Sequence, residues 1–388
     1  MVEIKEALEI IRSQDVQLDS EVVSLKDSLD RVLAEDLKAG FDLPGFDNSA
    51  MDGYALGGLQ QEYKIVGEVA AGDSQEFMLK IGEAVRIFTG AKVPEGTSAV
   101  IMQEKTKVDH NLLILEELPK VGQCIRKKGE ELKKGELVFS KSYQITAAGI
   151  GMLGSLGLNQ IKVFKKPIIQ LITTGNELVA PGESLQVGQI YESNSGAIEA
   201  ALKSKGFSSS ASRKIKDDFE LIKTGISESL QNTEVLILSG GISVGDYDFV
   251  KQALEENGVE ELFYKVKQKP GKPLYFGKKG NQFVFALPGN PASSLSCFYI
   301  YVLPLLQILS GLLGKGLLEL NLPISTDFEN RGDRPVFLKA NIDNNSVEIL
   351  NAQGSSMIGS MAKGNALAYV EAFEKMEKGS LIKTFLIS

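Results

Sequence analysis

The sequence predicts a multidomain α/β protein centred on a three-layer unit with a mainly parallel sheet. Three observations carry this. A chain of 388 residues is too long for one ordinary core, so roughly two to four domains are expected. From Pro167 onward the runs PIIQLITT, EVLILS and QFVFAL are continuously apolar, and helical stretches such as SNSGAIEAALKSKG and DDFELIKTGISESLQN lie between them. Strands of that kind are buried on both faces. On either side of this region the texture is β-like, with short apolar runs broken by Gly, Pro and Asp.

Taken in order, residues 1–45 read as short helices. Ile4, Ala7, Leu8 and Ile11 fall at helical spacing, and so do Leu29, Val32 and Leu33. DLPGFDNSAMDGYAL is irregular. Tyr63 to Phe139 is a β-rich module with strands expected in YKIVGEVAAGD, EAVRIFTGAKVPEG, SAVIMQE and LLILEEL. SYQITAAGIGMLGSLGL turns helical, and the α/β region follows. After Gly314 the strand candidates are LELNLPI, RPVFLKANI, SVEILNA, ALAYVEA and SLIKTFLI.

Composition narrows the function. Hydrophobic content of 43% and charged content of 24% suit a soluble globular protein, and a formal charge of −8 argues against duplex nucleic acid as partner. Cys124 and Cys297 stand alone, which suggests a reducing compartment and no structural zinc. The acidic N-terminus is unlike a signal peptide, and the run from Cys297 to Leu313 is interrupted by Pro304, Gln307 and Ser310. A buried helix, no membrane and a cytoplasmic location are expected. His110, the single histidine, sits in a polar turn, so chemistry falls to carboxylates, lysines, hydroxyls and backbone groups.

GIGMLG matches the dinucleotide pattern GxGxxG, but no buried strand precedes it and no room for a crossover helix follows. Glycines in a helix-to-loop corner are the better reading. The chemistry lies where parallel strands end. TTGNE, SGGISVGDYD and LPGNPASS each follow an apolar strand and should converge on one pocket. Glycines such as Gly240, Gly241 and Gly289 let backbone approach a ligand. Asn290 suits an N-cap with Pro291 next, and the free N–H groups there, with Ser293 and Ser294, would hold an anion. Plain helix capping would use the same residues. Lys265, Lys267, Lys269 and Lys272 crowd a Pro–Gly turn that is either an anion site or a solvated loop. Asp246 and Asp248, placed beside these anion-binding groups, suggest a bridging Mg²⁺, or else an Asp-stabilised turn. DNSAMDGYA, Asp47 to Ala55, reads as a second polar site of unassigned target.

DNSAMDGYA, IFTGAKVPEGTSAVIMQE, TTGNEL, SGGISVGDYD, KPGKP, LPGNPASS and GSSMIGSMAKGNAL occur in this order, and in them the chain resembles the MoeA family, the molybdopterin molybdenumtransferases. The C-terminal domain of gephyrin belongs to the same family. The resemblance implies a segmented helical domain (1–45 and 140–166), a β-rich domain (46–139), a molybdopterin-binding α/β domain (167–313) and a C-terminal β domain (314–388). It implies molybdenum insertion from molybdate into adenylylated molybdopterin, assisted by Mg²⁺, with release of AMP. Carried over residue by residue, the family's catalytic groups correspond to Asp52, Thr89, Glu177, Asp218 and Asp248, with Glu131 where the family often has aspartate. Its important lysines correspond to Lys265, Lys269 and Lys272, and the strand-end loops add Gly240, Gly241, Ser243, Pro288, Gly289, Asn290 and Ser293 as substrate-binding candidates. Metal ligands are expected among Asp246, Asp248 and Asp52. An elongated homodimer is implied, with the DNSAMDGYA loop of one chain completing the partner's pocket, and a molybdopterin adenylyltransferase is the expected upstream partner. Two other readings use the same fold: a non-catalytic molybdopterin-binding scaffold, and the adenylyltransferase itself. A pure scaffold would have no need of Asp52, Glu177 and Asp248 together.

Overall fold

The structure is a computed structural model that describes residues 1–16, 19–73, 77–242 and 249–387. Two compact units emerge. One comprises Met1–Val22, Asp30–Ala34 and Lys162–Ser388, and the other Val23–Leu29 and Glu35–Ile161.

The first unit contains the expected α/β region. In chain order it runs β1 (Ile169–Thr174), α1 (Asn194–Ser204), β2 (Ser209–Ile215), α2 (Phe219–Leu230), β3 (Val235–Ser239), α3 (Phe249–Glu256), β4 (Glu260–Tyr264), β5 (Tyr275–Lys279) and β6 (Gln282–Leu287). The sheet order is β2-β1-β3-β6-β5-β4. β2, β1, β3 and β6 are mutually parallel, and β5 and β4 add an antiparallel edge. Alternate side chains face opposite layers. Ile169, Leu171, Val235, Ile237, Phe283 and Phe285 join α1 in one core, and Ile172, Leu236, Leu238 and Val284 join α2 and α3 in another. Burial on both faces is why these strands read as unbroken apolar runs.

A helical stretch from Pro291 to Leu309 follows β6, and 78% of its apolar window is buried within the protein. It starts as α4 (Pro291–Cys297) and widens to π-type bonding over Phe298–Val302 before resuming at Leu303–Leu309. Pro304 has no N–H to give a regular ladder, and the wider turn just ahead of it relieves that mismatch. The C-terminal sheet comprises β7 (Leu318–Pro323), β8 (Val336–Asp343), β9 (Ser346–Ile349), β10 (Ala366–Val370) and β11 (Leu381–Leu386), ordered β7-β11-β10-β8-β9 and wholly antiparallel.

In the second unit a six-stranded mixed sheet runs in the order Thr97–Met102, Gly53–Gly57, Glu83–Ile87, Glu62–Val69, Leu112–Leu115, Thr106–Asp109. A Cβ on Gly53 would lie 1.8 Å from the Ile101 carbonyl oxygen, so the glycine of DNSAMDGYA is what lets its strand approach the neighbour. GIGMLG lies inside the helix Ala147–Ser155, whose Thr146 cap accepts the Gly149 N–H at 3.1 Å. Nothing there forms a phosphate-binding turn.

One expected helix is absent. Ile4–Arg12 forms, but Leu29, Val32 and Leu33 do not lie on a helix. Asp30 adopts φ +60, a left-handed conformation that aspartate tolerates and a helix does not. Leu33 then bridges to Val163 as extended chain. Its apolar spacing reflects burial of Val32 and Leu33, not helical periodicity.

Candidate active site

A cleft of about 530 Å³ opens at the carboxyl ends of β1, β3 and β6. It lies where the strand order reverses between β1 and β3, the usual ligand position in an open parallel sheet. Thr173 and Thr174 end β1 and Glu177 follows it, Ser239 ends β3 with Gly240 and Gly241 after it, and Pro288, Gly289 and Asn290 follow β6. The three loops expected to converge do converge.

Ser239 is a buried part of the wall. Its hydroxyl accepts the Asn194 side-chain N–H at 2.9 Å and lies 3.2 Å from the Ser294 hydroxyl. The same Asn194 amide nitrogen donates to the Gly289 carbonyl at 2.7 Å, so one side chain ties two strand-end loops to the start of α1. Glu192 is occupied in capping: it accepts the N–H groups of Asn194 at 2.7 Å and Ser195 at 2.9 Å, and the Ser195 hydroxyl. Gly240 (φ +98) and Gly241 (φ +62) are left-handed, and a Cβ on Gly240 would sit 2.5 Å from the Thr174 carbonyl oxygen. Only glycine makes this loop.

Among the described residues, three that line the cleft carry a buried polar atom without a partner: Thr174 Oγ1, Asn194 Oδ1 and Asp217 Oδ1. An unsatisfied buried acceptor costs free energy, on the order of 1–3 kcal/mol, until something donates to it. Among the described residues the lining includes Glu177, Glu192 and Asp217 but no lysine or arginine. The wall therefore offers acceptors and negative charge. It suits a ligand rich in N–H donors or one accompanied by a cation.

Several expected site residues fall elsewhere. Asp218 is the N-cap of α2 and accepts the Leu221 N–H at 3.0 Å. The neighbouring Asp217 lines the cleft, its own N–H held by Asn176 Oδ1 at 3.2 Å. The paired aspartates of DDFELIK divide these duties, and the cap rule identifies the second as structural. Ser293 is buried, its N–H donates to the Ser355 carbonyl at 3.2 Å, and it does not line the cleft. Asn290 occupies the N-cap of α4 and lines the cleft, but its amide donates to the Ser355 hydroxyl at 3.0 Å and does not cap. Lys265 stands 4.6 Å above the Tyr264 ring, Lys267 pairs with Glu3 at 3.2 Å, and Lys269 and Lys272 are exposed. Of that turn, Pro273 reaches the cleft lining. Ser243, Asp246 and Asp248 lie outside the described residues. Thr174, Tyr191, Asn194, Asp217, Ser239 and Ser356 join the wall without having been singled out by sequence. A signal was present for Asp217, the acid left over once its neighbour caps the helix.

The second unit holds its own polar pair. Asp52 Oδ1 accepts the Thr89 N–H at 2.8 Å and the Thr89 hydroxyl at 2.7 Å. These two bonds, with a smaller contribution from the Arg86 guanidinium, hold the carboxyl below its ordinary 3.8. Arg86 is itself fixed, donating to the Gly53 carbonyl at 2.9 Å and lying 4.8 Å from the Phe88 ring centre. Asp47, in the same loop, is engaged by Lys127 at 2.8 Å and the Lys128 N–H at 2.8 Å. Glu131 is exposed, with its N–H on the Leu43 carbonyl at 3.1 Å. His110 is 98% exposed in its side chain, and burial pushes the Cys297 thiol up to about 12. Neither offers a nucleophile system. Among the described residues no cluster of three His, Cys, Asp or Glu side chains has metal-binding geometry.

Comparison with known proteins agrees with this architecture. Residues 2–157 match the profile described as MoeA N-terminal region (domain I and II), and residues 170–308 match a probable molybdopterin binding domain. A molybdopterin molybdenumtransferase of Haemophilus influenzae is 38% identical over 75% of this chain and 73% of its own. One from a Nostoc species is 36% identical over 78% of this chain and 72% of its own. The crystal structure of a MoeA molybdopterin biosynthesis protein from Pyrococcus horikoshii superimposes with TM-score 0.86 at 27% identity, covering 100% of both chains. With its loops converging at the sheet's switch point and its relatives matched along most of their length, the chain belongs to the molybdopterin molybdenumtransferase family, the MoeA proteins.

Proposed function

We propose that this chain inserts molybdenum from molybdate into adenylylated molybdopterin, with Mg²⁺ assistance and release of AMP, as a step of molybdenum cofactor biosynthesis. The observation that carries this is the wall of unpaired acceptors and carboxylates at a parallel-sheet switch point. A pterin brings ring N–H donors, which Thr174 Oγ1 and Asn194 Oδ1 can accept. The phosphoanhydride brings negative charge that Glu177 and Asp217 would repel without a cation.

The residues present fit Mg²⁺, which takes one or two protein carboxylates and completes its shell with water and phosphate. Among the described residues, Glu177 and Asp217 would hold it; Asp246 and Asp248, the carboxylates expected from the sequence, lie outside the described residues. Bound there, it supplies charge neutralisation and electrophilic assistance to anhydride cleavage. The remaining work falls to the chain itself. Gly240, Gly241 and Gly289 admit the ligand to the backbone, and Asn194 fixes the loops around it. Exposed Lys269 and Lys272 supply positive charge for the approaching molybdate dianion. The Asp52–Thr89 pair, ionised and pre-oriented, belongs to the same reaction through a homodimer in which one chain's loop completes the partner's cleft. The substrate is supplied by an upstream adenylylation of the pterin phosphate, the reaction of a molybdopterin adenylyltransferase.

The test is AMP release from adenylylated molybdopterin, with and without molybdate and Mg²⁺. Release that requires both ions and is lost in Asp217→Asn supports the reading. Tight pterin binding without any AMP release would leave a scaffold instead.

A further inference from the structure

Lys339 lies on β8, the strand of the C-terminal sheet between β10 and β9, and its residue is 3% exposed. No carboxylate among the described residues pairs with it. Its three ammonium hydrogens instead meet three backbone carbonyls: Ala352 at 2.9 Å, Gly354 at 2.9 Å and Met357 at 3.1 Å. An ammonium has three donors and no acceptor, so the set is complete. All three carbonyls belong to one short loop, 352–357, which Ala352 enters in a left-handed conformation, φ +61.

That loop borders the cleft. Ser356 lines it, the Ser355 hydroxyl accepts from the cleft residue Asn290 at 3.0 Å, and the Ser355 carbonyl accepts the Ser293 N–H at 3.2 Å. The backbone beneath is sutured as well. Gln353 accepts the Lys339 N–H at 2.9 Å and donates to the Lys339 carbonyl at 2.8 Å.

We infer that Lys339 is a positioning residue for substrate binding: its three-carbonyl clamp holds loop 352–357 so that Ser356 presents a fixed wall to the ligand while Ser355 keeps its bonds to Asn290 and Ser293. A buried cation is costly, and burial lowers the proton affinity of this amine. An apolar side chain would serve the sheet equally well. The charge is useful because the loop carbonyls converge on it.

The inference rests on the reading of the cleft as the adenylylated molybdopterin site, and the experiment separates the two. In Lys339→Met, amide hydrogen exchange should accelerate in residues 352–358 while β8 and β10 keep wild-type protection. KM for adenylylated molybdopterin should rise about tenfold with kcat changed less than about threefold, the pattern of lost binding without lost chemistry. Lys339→Arg, which keeps a multi-donor cation, should recover part of both effects. Ser360→Ala removes hydroxyl bonds to the same Ala352 and Met357 carbonyls from a half-buried position, and should move both readouts in the same direction by less, even where Lys339→Met folds poorly. Uniform acceleration across the C-terminal sheet, or a loosened loop with unchanged KM beside a weakened Ser356→Ala, overturns the positioning role alone. Unchanged KM in both Lys339→Met and Ser356→Ala shows that this wall is not part of the substrate site.

Discussion

Two adjacent aspartates, Asp217 and Asp218, show how sharply one position divides labour. Asp218 spends its carboxylate on the Leu221 N–H, and Asp217 keeps one oxygen buried and unpaired at the cleft. Asp217→Asn should lower AMP release by about 100-fold or more without lowering the thermal midpoint, on the scale of losing a positioned electrostatic group. Asp218→Ala should do the reverse, costing about 1 kcal/mol in urea unfolding with activity within about twofold. Equal activity losses in the two would remove the distinction. Asp52 permits a second measurement. Its carboxyl is held below 3.8, so the folded state binds that proton less tightly than the unfolded chain. The stability it contributes is complete above the unfolded value and fades as pH falls through the folded one. Thr89→Val deletes the hydroxyl bond and keeps the N–H bond, so the Asp52 titration seen by carboxyl NMR should move up toward 3.8 and stop short of it. A midpoint unchanged from wild type would show that the hydroxyl contributes nothing.

At the level of elements, the loop after β3 depends on backbone conformations reserved for glycine. Gly240→Ala forces a left-handed alanine, costing roughly 1–3 kcal/mol, and drives its Cβ toward the Thr174 carbonyl oxygen at 2.5 Å. Destabilisation of that size, with substrate affinity lost as well, is expected from denaturant melts and binding. Gly225 makes the matching point for packing. It lets α2 close on β2, where an added Cβ would meet Ile215 Cδ1 at 2.3 Å, a flexible side-chain tip. Gly225→Ala should therefore be milder, and activity should survive it.

For the whole molecule, the proposed homodimer makes the strongest claim. A two-fold axis would create two equivalent shared sites. Asp52→Ala and Asp217→Asn homodimers should each be inactive. Purified heterodimers of the two should regain about half the wild-type activity, because one site then carries both lesions and the other none. Heterodimers that assemble yet stay inactive would mean that the site is built within one chain or needs both pockets intact at once, and the shared-site proposal fails.

The sequence by itself determined β1, β3 and β6, since burial on both faces leaves short apolar runs bounded by turn residues, whereas β2, β4 and β5 were not read from it. It also determined the convergence of the loops after β1, β3 and β6, because parallel strands must end on the same edge. The MoeA resemblance was legible in seven ordered motifs. Periodicity failed at Leu29–Leu33, where a left-handed Asp30 turned a helical spacing into extended chain. Tertiary structure alone decided that Ser293 is buried with its N–H on the Ser355 carbonyl, and that Asn194 and Lys339 tie the loops around the cleft. The reason is physical. Strand and helix signals repeat along the chain and are read locally, whereas a side chain's partner is set by elements brought together from far apart: Lys339 to the loop at 352–357, Asn194 to Gly289.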